Sequence, residues 1–198
     1  MKNIIGITGN SGSGKTTATA ILKELTNAEV IDADKVVKEL SVPGTEYLNS
    51  IKEKFGDEVL FEDGTLNRKV LASKIFNSKE DLDVLNSLTF RYVVDEIKRR
   101  IKESKNNVIV LDAPLLFESG LNNECTFVIG LIAPFDIKVD RIVKRDGISE
   151  ETAYSRINIQ AKDEFYLNKA DVVIENINPE ELKEKLQDAI RILKIEEK

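Results

Sequence analysis

The segment Gly9-Asn10-Ser11-Gly12-Ser13-Gly14-Lys15-Thr16 carries the pattern G-x-x-x-x-G-K-[ST] at every fixed position. Such a loop acts as the joint between a buried strand and a helix N-terminus, so its flanks decide whether the pattern means anything. Both flanks fit. Asn3-Ile4-Ile5-Gly6-Ile7-Thr8 is a short apolar run of strand length, and Thr17 to Leu25 has helical patterning. In a strand, glycine loop, helix unit the successive backbone N–H groups point inward at a polyphosphate, and the helix N-terminus adds partial positive charge. Ser11, Gly12, Ser13, Gly14, Lys15, Thr16 and Thr17 are therefore expected to hold a nucleoside triphosphate, with Lys15 reaching the outer phosphates and the Thr16 hydroxyl offered to Mg²⁺. A glycine-rich turn that merely ends in Lys-Thr does not account for the strand and the helix.

The loop leaves open where a phosphate goes, and composition narrows the answer. The 198 residues suit one compact domain with room for insertions, at 41% apolar and 32% charged residues. A net charge of −6 provides no general positive field for a nucleic-acid backbone, so no nucleic-acid partner is expected. The chain has no histidine, which excludes histidine triads, histidine general bases and the usual zinc ligand sets. Proton handling falls to carboxylates. The longest apolar run, Thr126 to Phe135, is about half of the ~20 residues that a membrane span needs. Met1-Lys2-Asn3 leads directly into the first strand rather than into a signal peptide, so no membrane partner and a cytoplasmic location are expected. The single cysteine, Cys125, lies in apolar surroundings and is expected at a buried strand position rather than as a reactive thiol.

Five apolar runs alternate with helical stretches: Ile4 to Thr8, Glu29 to Ile31, Val108 to Leu111, Thr126 to Ile132 and Val172 to Ile174. That alternation predicts an α/β fold of the P-loop NTPase kind, a five-stranded parallel sheet flanked by helices. Asn178 as N-cap, Pro179 in the first turn and the stripe Leu182, Leu186, Ala189, Ile190, Leu193 predict a final helix packed on the sheet. Two helical excursions interrupt the core. The first, between the second and third runs, contains helical patterning over Thr45 to Phe55 and Asn67 to Phe76. A Ser78/Asp81 capping signal then precedes a long helix through Leu82, Leu85, Leu88, Tyr92, Val93, Ile97 and Ile101. The second, Asp136 to Lys169, is helical and rich in charge.

Four groups of residues can carry chemistry. The apolar run ending in Asp112 places an acid where a carboxylate binds Mg²⁺ directly or through water; a plain turn-forming Asp is the alternative. Ile31-Asp32-Ala33-Asp34 closes the second run and opens a helix at Lys35, so one acid is free to orient or deprotonate an acceptor hydroxyl while the other caps the helix. Lys138, Arg141 and Arg145 share one helix face, and Arg156 and Gln160 repeat the i,i+4 spacing on the next helix. Such cations either close over a transferred phosphoryl group or form a solvated charged face. Asn168-Lys169-Ala170-Asp171 matches the N-K-x-D guanine motif, but the strand follows it instead of preceding it, which makes the match fortuitous.

Taken in order, Thr8-Gly9 to Thr17, Val30 to Asp34, Val42-Pro43-Gly44-Thr45, Phe55-Gly56, Asp63 to Arg68, Pro114-Leu115-Leu116-Phe117-Glu118, Arg141, Arg145-Asp146, Arg156, Gln160 and Ala170 to Ile174 resemble the dephospho-CoA kinase family. The resemblance implies transfer of the ATP γ-phosphoryl group to the ribose 3′-hydroxyl of dephospho-CoA, with Mg²⁺. It implies one P-loop kinase domain, with a core of residues 1–34, 105–135 and 170–198, a helical substrate-side insertion at 35–104 and a lid at 136–169. Asp34 becomes the acceptor-side acid, Lys15, Arg141 and Arg145 act on the transferred group, and Asp32, Thr89, Arg91, Leu116, Arg156 and Gln160 are substrate-side candidates. Two positions depart from the family: Thr89-Phe90 stands where His-Pro is usual, and Asn10-Ser11 where Gly-Ile is common. A P-loop kinase for another nucleoside or nucleotide, and a nucleotide-dependent switch protein, are the competing readings.

Overall fold

A computed structural model describes residues 2–76 and 78–193. The outer ends of the expected core and Asn77 fall outside that range. In chain order the elements are β1 (Asn3–Gly9), α1 (Lys15–Thr26), β2 (Glu29–Asp32), α2 (Ala33–Leu40), α3 (Glu46–Phe55), α4 (Arg68–Phe76), α5 (Lys79–Glu103), β3 (Val108–Asp112), β4 (Phe127–Ile132), α6 (Phe135–Asp146), α7 (Glu150–Asn158), α8 (Asp163–Leu167), β5 (Val172–Glu175) and α9 (Pro179–Ile192). Short 3₁₀ turns lie at Asp57–Val59 and Leu121–Glu124. The chain divides into two compact units: the described parts of Met1–Ile31 and Ser104–Lys198 form the first, and Asp32–Glu103 the second.

The first unit is built on one sheet in the order β2-β3-β1-β4-β5. The pairs β1/β3, β1/β4 and β4/β5 are parallel, and the first two hold β1 at the centre. A central parallel strand is covered on both faces, which is why β1 is a continuous apolar run rather than an alternating one. On one face Ile5, Ile7, Val110, Ile129, Leu131 and Ile174 meet Ala18 and Leu22 of α1 and Leu182, Leu186, Ala189 and Ile190 of α9. On the other, Gly130 of β4 leaves room for Tyr166 of α8, whose Cβ is 3.2 Å from where a glycine Cβ would sit. The α6/α7 pair closes over its own cluster of Val139, Ile142, Ala153 and Ile157. Helix α9 starts as its sequence predicts, with the Asn178 side chain accepting a hydrogen bond from the Glu180 N–H.

The second unit has its own core, in which Tyr47, Ile51 and Phe55 of α3 and Leu71 of α4 pack with Val84, Leu85, Leu88 and Tyr92 of α5. Thr45 caps α3 and Ser78 accepts from the Asp81 N–H to start α5. The Asp63-Gly64-Thr65 turn is held by Asp63 Oδ1, which accepts from the Thr65 N–H and hydroxyl, and it closes an antiparallel bridge between Leu60 and Leu66.

Three boundaries differ from expectation, each for a local reason. Helix α1 begins at Lys15 rather than Thr17 because Gly14 is its left-handed N-cap. Helix α2 begins at Ala33 rather than Lys35 because Asp32 is the cap. Cys125 is not on a strand: it ends the 121–124 turn, two residues before β4, and is half-buried. Its thiol is nonetheless pushed up to about 12, mainly by burial and secondarily by the nearby acids Glu124 and Asp171, which disfavours a reactive thiolate.

Leu186 is fully buried between α9 and the sheet. Leu186→Ala is expected to cost about 2–5 kcal/mol of unfolding free energy, read as a lower midpoint in urea denaturation.

Candidate active site

The P-loop connects β1 to α1 through backbone that only glycine accepts. Gly14 has φ +96°, and a Cβ there would lie 2.1 Å from Asn176 Nδ2; Gly12 has φ +80°, and a Cβ would lie 2.6 Å from the Lys138 carbonyl oxygen. Helices α2, α3, α7 and α9 have their first N–H groups bonded by a side chain of the N-cap residue, whereas α1 has no side-chain cap and no acid in its first turn. Its N–H groups are left for an external anion, which the helix dipole also favours. Thr16 and Thr17 are exposed at this end, and Lys15 Nζ donates to the Gly9 carbonyl at 2.8 Å.

Parallel register sets Asp112 beside Ile7, at the strand end next to the loop. Its Oδ2 accepts from the Thr19 hydroxyl at 2.9 Å, one helical turn after Lys15. The sequence reading missed Thr19, although its i+4 spacing from Lys15 places it on the same flank of α1. No group of three or more His, Cys, Asp or Glu among the described residues is arranged to hold a metal. A hydroxyl and one carboxylate nevertheless suit Mg²⁺, which keeps several waters and takes phosphate oxygens from its nucleotide.

Lys138, Arg141 and Arg145 of α6 share a face and have different fates. Lys138 is buried, with Nζ 3.1 Å from Asp163 Oδ1 of α8. Arg141 donates to the carbonyl oxygens of Gly12 at 3.2 Å, Asn176 at 3.0 Å and Ile177 at 3.2 Å. Among the described residues no carboxylate pairs with Arg141, so its full charge faces a backbone that also lines the loop. Arg145 lies at the end of the helix, with Nε and Nη2 on the two oxygens of Asp146 at 2.7 and 2.9 Å; Arg156 of α7 also pairs with Asp146. The loop is braced from behind by Asn176, buried just after β5, whose Nδ2 donates to the Ser13 carbonyl at 2.8 Å. Asn176 Oδ1 and Ser13 Oγ are buried without a partner among the described residues.

Gln160 is not on α7, which ends at Asn158. It lies in the connector before α8, with Oε1 accepting from the Ser11 N–H at 3.0 Å and Nε2 donating to Ser11 Oγ at 3.1 Å. Leu116 is fully buried, and its Cδ2 would be 2.9 Å from a Cβ on Gly6, so it belongs to the core; its neighbour Leu115 is 49% exposed. Asp171 of the fortuitous N-K-x-D match accepts from the Val128 N–H at 2.7 Å and so ties β5 to β4, while Lys169 sits over the Phe165 ring at 4.4 Å.

In the second unit Asp32 caps α2 by accepting from the Lys35 N–H at 3.0 Å, leaving Asp34 exposed in the first turn. The Thr89 hydroxyl is engaged internally, 2.9 Å from Tyr47 Oη and donating to the Leu85 carbonyl at 2.8 Å. Arg91 lies over the Tyr92 ring and lines an open groove of about 770 Å³ along α5 with Lys79, Asp83 and Ser87.

A P-loop with an uncapped helix, a carboxylate at the adjacent strand end and an arginine on backbone carbonyls beside the loop are thus brought together in the first unit. The dephospho-CoA kinase family model matches residues 3–181. The chain belongs to the dephospho-CoA kinase family. It is 37% identical over 185 residues to the dephospho-CoA kinase of Fusobacterium nucleatum, covering 93% of this chain and 95% of that protein. It is 39% identical over 176 residues to that of Carboxydothermus hydrogenoformans, covering 87% and 85%. Among solved structures, TT1252 from Thermus thermophilus aligns with TM-score 0.84 at 29% identity over 97% of both chains. Campylobacter jejuni dephospho-CoA kinase aligns with TM-score 0.68 at 29% identity over 98% of both. A shikimate kinase from Acinetobacter baumannii, 19% identical with TM-score 0.58, shares the fold. Dephospho-CoA kinase family membership makes this chain an ATP-dependent kinase, and no helix among the described residues is long and apolar enough to cross a membrane.

The two arginines beside Asp146 hold its carboxyl down to about 2 from the ordinary 3.8, the Arg145 hydrogen bonds being the largest cause. A depressed carboxyl contributes stability that is present above its unfolded value and lost as pH falls through its folded value. Asp146→Asn is therefore expected to lower the melting temperature at neutral pH, with the gap from wild type closing between about pH 4 and about pH 2 in melts across that range.

Proposed function

We propose that the protein transfers the γ-phosphoryl group of ATP to the ribose 3′-hydroxyl of dephospho-CoA. The observation that carries this reading is the uncapped α1 N-terminus in the Gly9-to-Thr16 loop, in a chain of this family. Ser11 to Thr17 receive the phosphates, the backbone N–H groups of the loop and first turn carrying the charge and Lys15 exchanging its bond to the Gly9 carbonyl for phosphate oxygen. Thr16 and Asp112 would hold Mg²⁺, Asp112 directly or through water and positioned by Thr19. Mg²⁺, when bound, neutralises charge on the β- and γ-phosphates.

Asp34 takes the proton of the acceptor hydroxyl as the new bond from that oxygen to the γ-phosphorus forms and the bond to the β–γ bridging oxygen breaks, releasing ADP. Its assignment rests on elimination as well as on family: Asp32 is occupied as a cap, and the chain has no histidine. Arg141 stabilises charge on the nucleotide phosphates in this reading, which its bond to the Gly12 carbonyl of the loop supports, and Arg145 and Arg156 are lid groups that exchange Asp146 for phosphate or substrate. The groove along α5, where Lys79 and Arg91 lie among Glu80 and Asp83, offers an acceptor charges of both signs. Thr89, the other substrate-side candidate on α5, bonds Tyr47 in the core of the insertion. The domain reading is a core of 1–34, 105–135 and 170–198, an acceptor-side insertion at 35–104 and a lid at 136–169. A cytoplasmic location and no nucleic-acid partner belong to the same reading, the second supported by the net charge of −6.

Incubation with MgATP and single acceptors, followed by ADP release and product mass, tests the assignment. Phosphorylation of dephospho-CoA at the 3′ position is expected, and turnover confined to nucleosides or other nucleotides overturns it. Asp34→Asn is expected to retain MgATP binding while kcat falls by about 10²–10⁴-fold. Lys15→Ala is expected to lose productive use of ATP, read as loss of turnover with the melting temperature retained.

A further inference from the structure

The first two variable positions of the P-loop are not free. Asn10 is a buried polar residue, 5% exposed, and both ends of its side-chain amide are used. Nδ2 donates to the Ala161 carbonyl at 2.7 Å and Oδ1 accepts from the Tyr166 hydroxyl at 2.7 Å. Ser11, next in the chain, meets Gln160 through the two bonds described above. Four hydrogen bonds therefore join two consecutive loop residues to one short stretch of chain, the α7–α8 connector together with α8, about 150 positions away in sequence. Tyr166 is itself fixed: its ring meets that of Phe165 edge-on at 5.4 Å, and its Cβ occupies the space left by Gly130. Burial pushes its phenol up to about 12, so it remains a proton donor to Asn10 throughout the neutral range.

The Asn10 side chain contributes nothing to the phosphate pattern of the loop, whose fixed residues are Gly9, Gly14, Lys15 and Thr16. Its bonds hold the loop from outside. Asn10 also starts the tight turn, its carbonyl accepting from the Ser13 N–H at 3.1 Å. Fixing Asn10 thus fixes the register of the N–H groups of Gly12, Ser13 and Gly14 that follow.

We propose that Asn10 and Tyr166 are positioning residues that moor the α7–α8 connector to the P-loop, so that the loop is preorganised for the nucleotide's phosphates only while the connector is seated. Preorganisation of this kind raises affinity by removing an ordering cost from the binding step. The inference rests on the ATP reading given above.

The test uses the full chain with Asn10→Ala, Tyr166→Phe and the double variant, with MgATP affinity measured by calorimetry. Amide hydrogen exchange of residues 159–167 is followed with and without MgATP, and thermal melts are recorded in parallel. Tyr166→Phe keeps the ring and its packing and loses only the hydroxyl. Tyr166→Phe, which removes one hydrogen bond, is expected to weaken MgATP binding about five-fold, and Asn10→Ala, which removes two, by at least that factor. The double variant is expected to bind no more weakly than Asn10→Ala alone, since Asn10→Ala already removes the partner of the Tyr166 hydroxyl. MgATP is expected to slow exchange at 159–167 in wild type and much less in either variant, and KM for ATP is expected to rise with kcat nearly unchanged. Variants that bind MgATP as wild type does, whatever their melting temperatures, overturn the mooring, as do two single effects that multiply in the double variant. Wild-type protein that does not bind MgATP overturns the functional reading and the mooring with it.

Discussion

The N-terminus of α1 sets the terms for the rest of the first unit. A helix begins with N–H groups that lack internal partners, and most helices here satisfy some of them with the side chain of a Ser, Thr, Asp or Asn at the cap. Glycine at position 14 supplies none, so the unmet donors converge on the place where phosphate is expected. Glycine also lets neighbours approach to distances that a Cβ forbids, and those neighbours are Asn176 behind the loop and the backbone of Lys138 beside it. The resulting site breaks local rules that the core obeys: an uncapped helix, a buried serine hydroxyl and a buried amide oxygen without partners. Such departures are found where function, rather than stability, selects the residue.

Carboxylates distribute the cations around that site. Lys138, Arg141 and Arg145 occupy the same helix face, yet Asp163 neutralises the first and Asp146 the last. Only the middle one meets backbone carbonyls alone, beside the phosphate loop. Asp146 serves two arginines from two helices, so the tip of the α6/α7 pair has a common anion at its joint. A phosphate arriving there competes with that anion for the same guanidinium faces, an exchange between two good hydrogen-bond acceptors.

What could be read from the chain and what could not is separated by sequence distance. The P-loop, the Asn178 cap and the Ser78 start of α5 were legible because the atoms involved lie within a few residues of each other. Asp112 was legible as a strand-end acid, and its place beside Ile7 followed from strand order. Asn10, Tyr166 and Asn176 carried no local sign of their roles, since each acts on a residue about 150 positions away. Gln160 was assigned to a helix by its i,i+4 spacing from Arg156, but the helix stops at Asn158 and the glutamine turns to the loop. Cys125 was assigned to a strand because apolar neighbours look alike in a strand and in the turn that enters it. There both the hydroxyl and the backbone N–H of Thr126 bond Ile4.

The placement of β1 also dictates the order in which the protein is completed during synthesis. β1 leaves the ribosome well before either of its partners, which are distant in sequence: Asn3 pairs with Val108 and Ile5 with Phe127. An apolar strand is thus unpaired while roughly the next hundred residues are made, a period of order 5–20 s at typical elongation rates. Asp32–Glu103, which fills that interval, has a separate core and need not wait for the sheet. The nucleotide loop is completed only once β4 and the segment through Asn176 have emerged, because its strand pairs with β4 and its Ser13 carbonyl is held by Asn176.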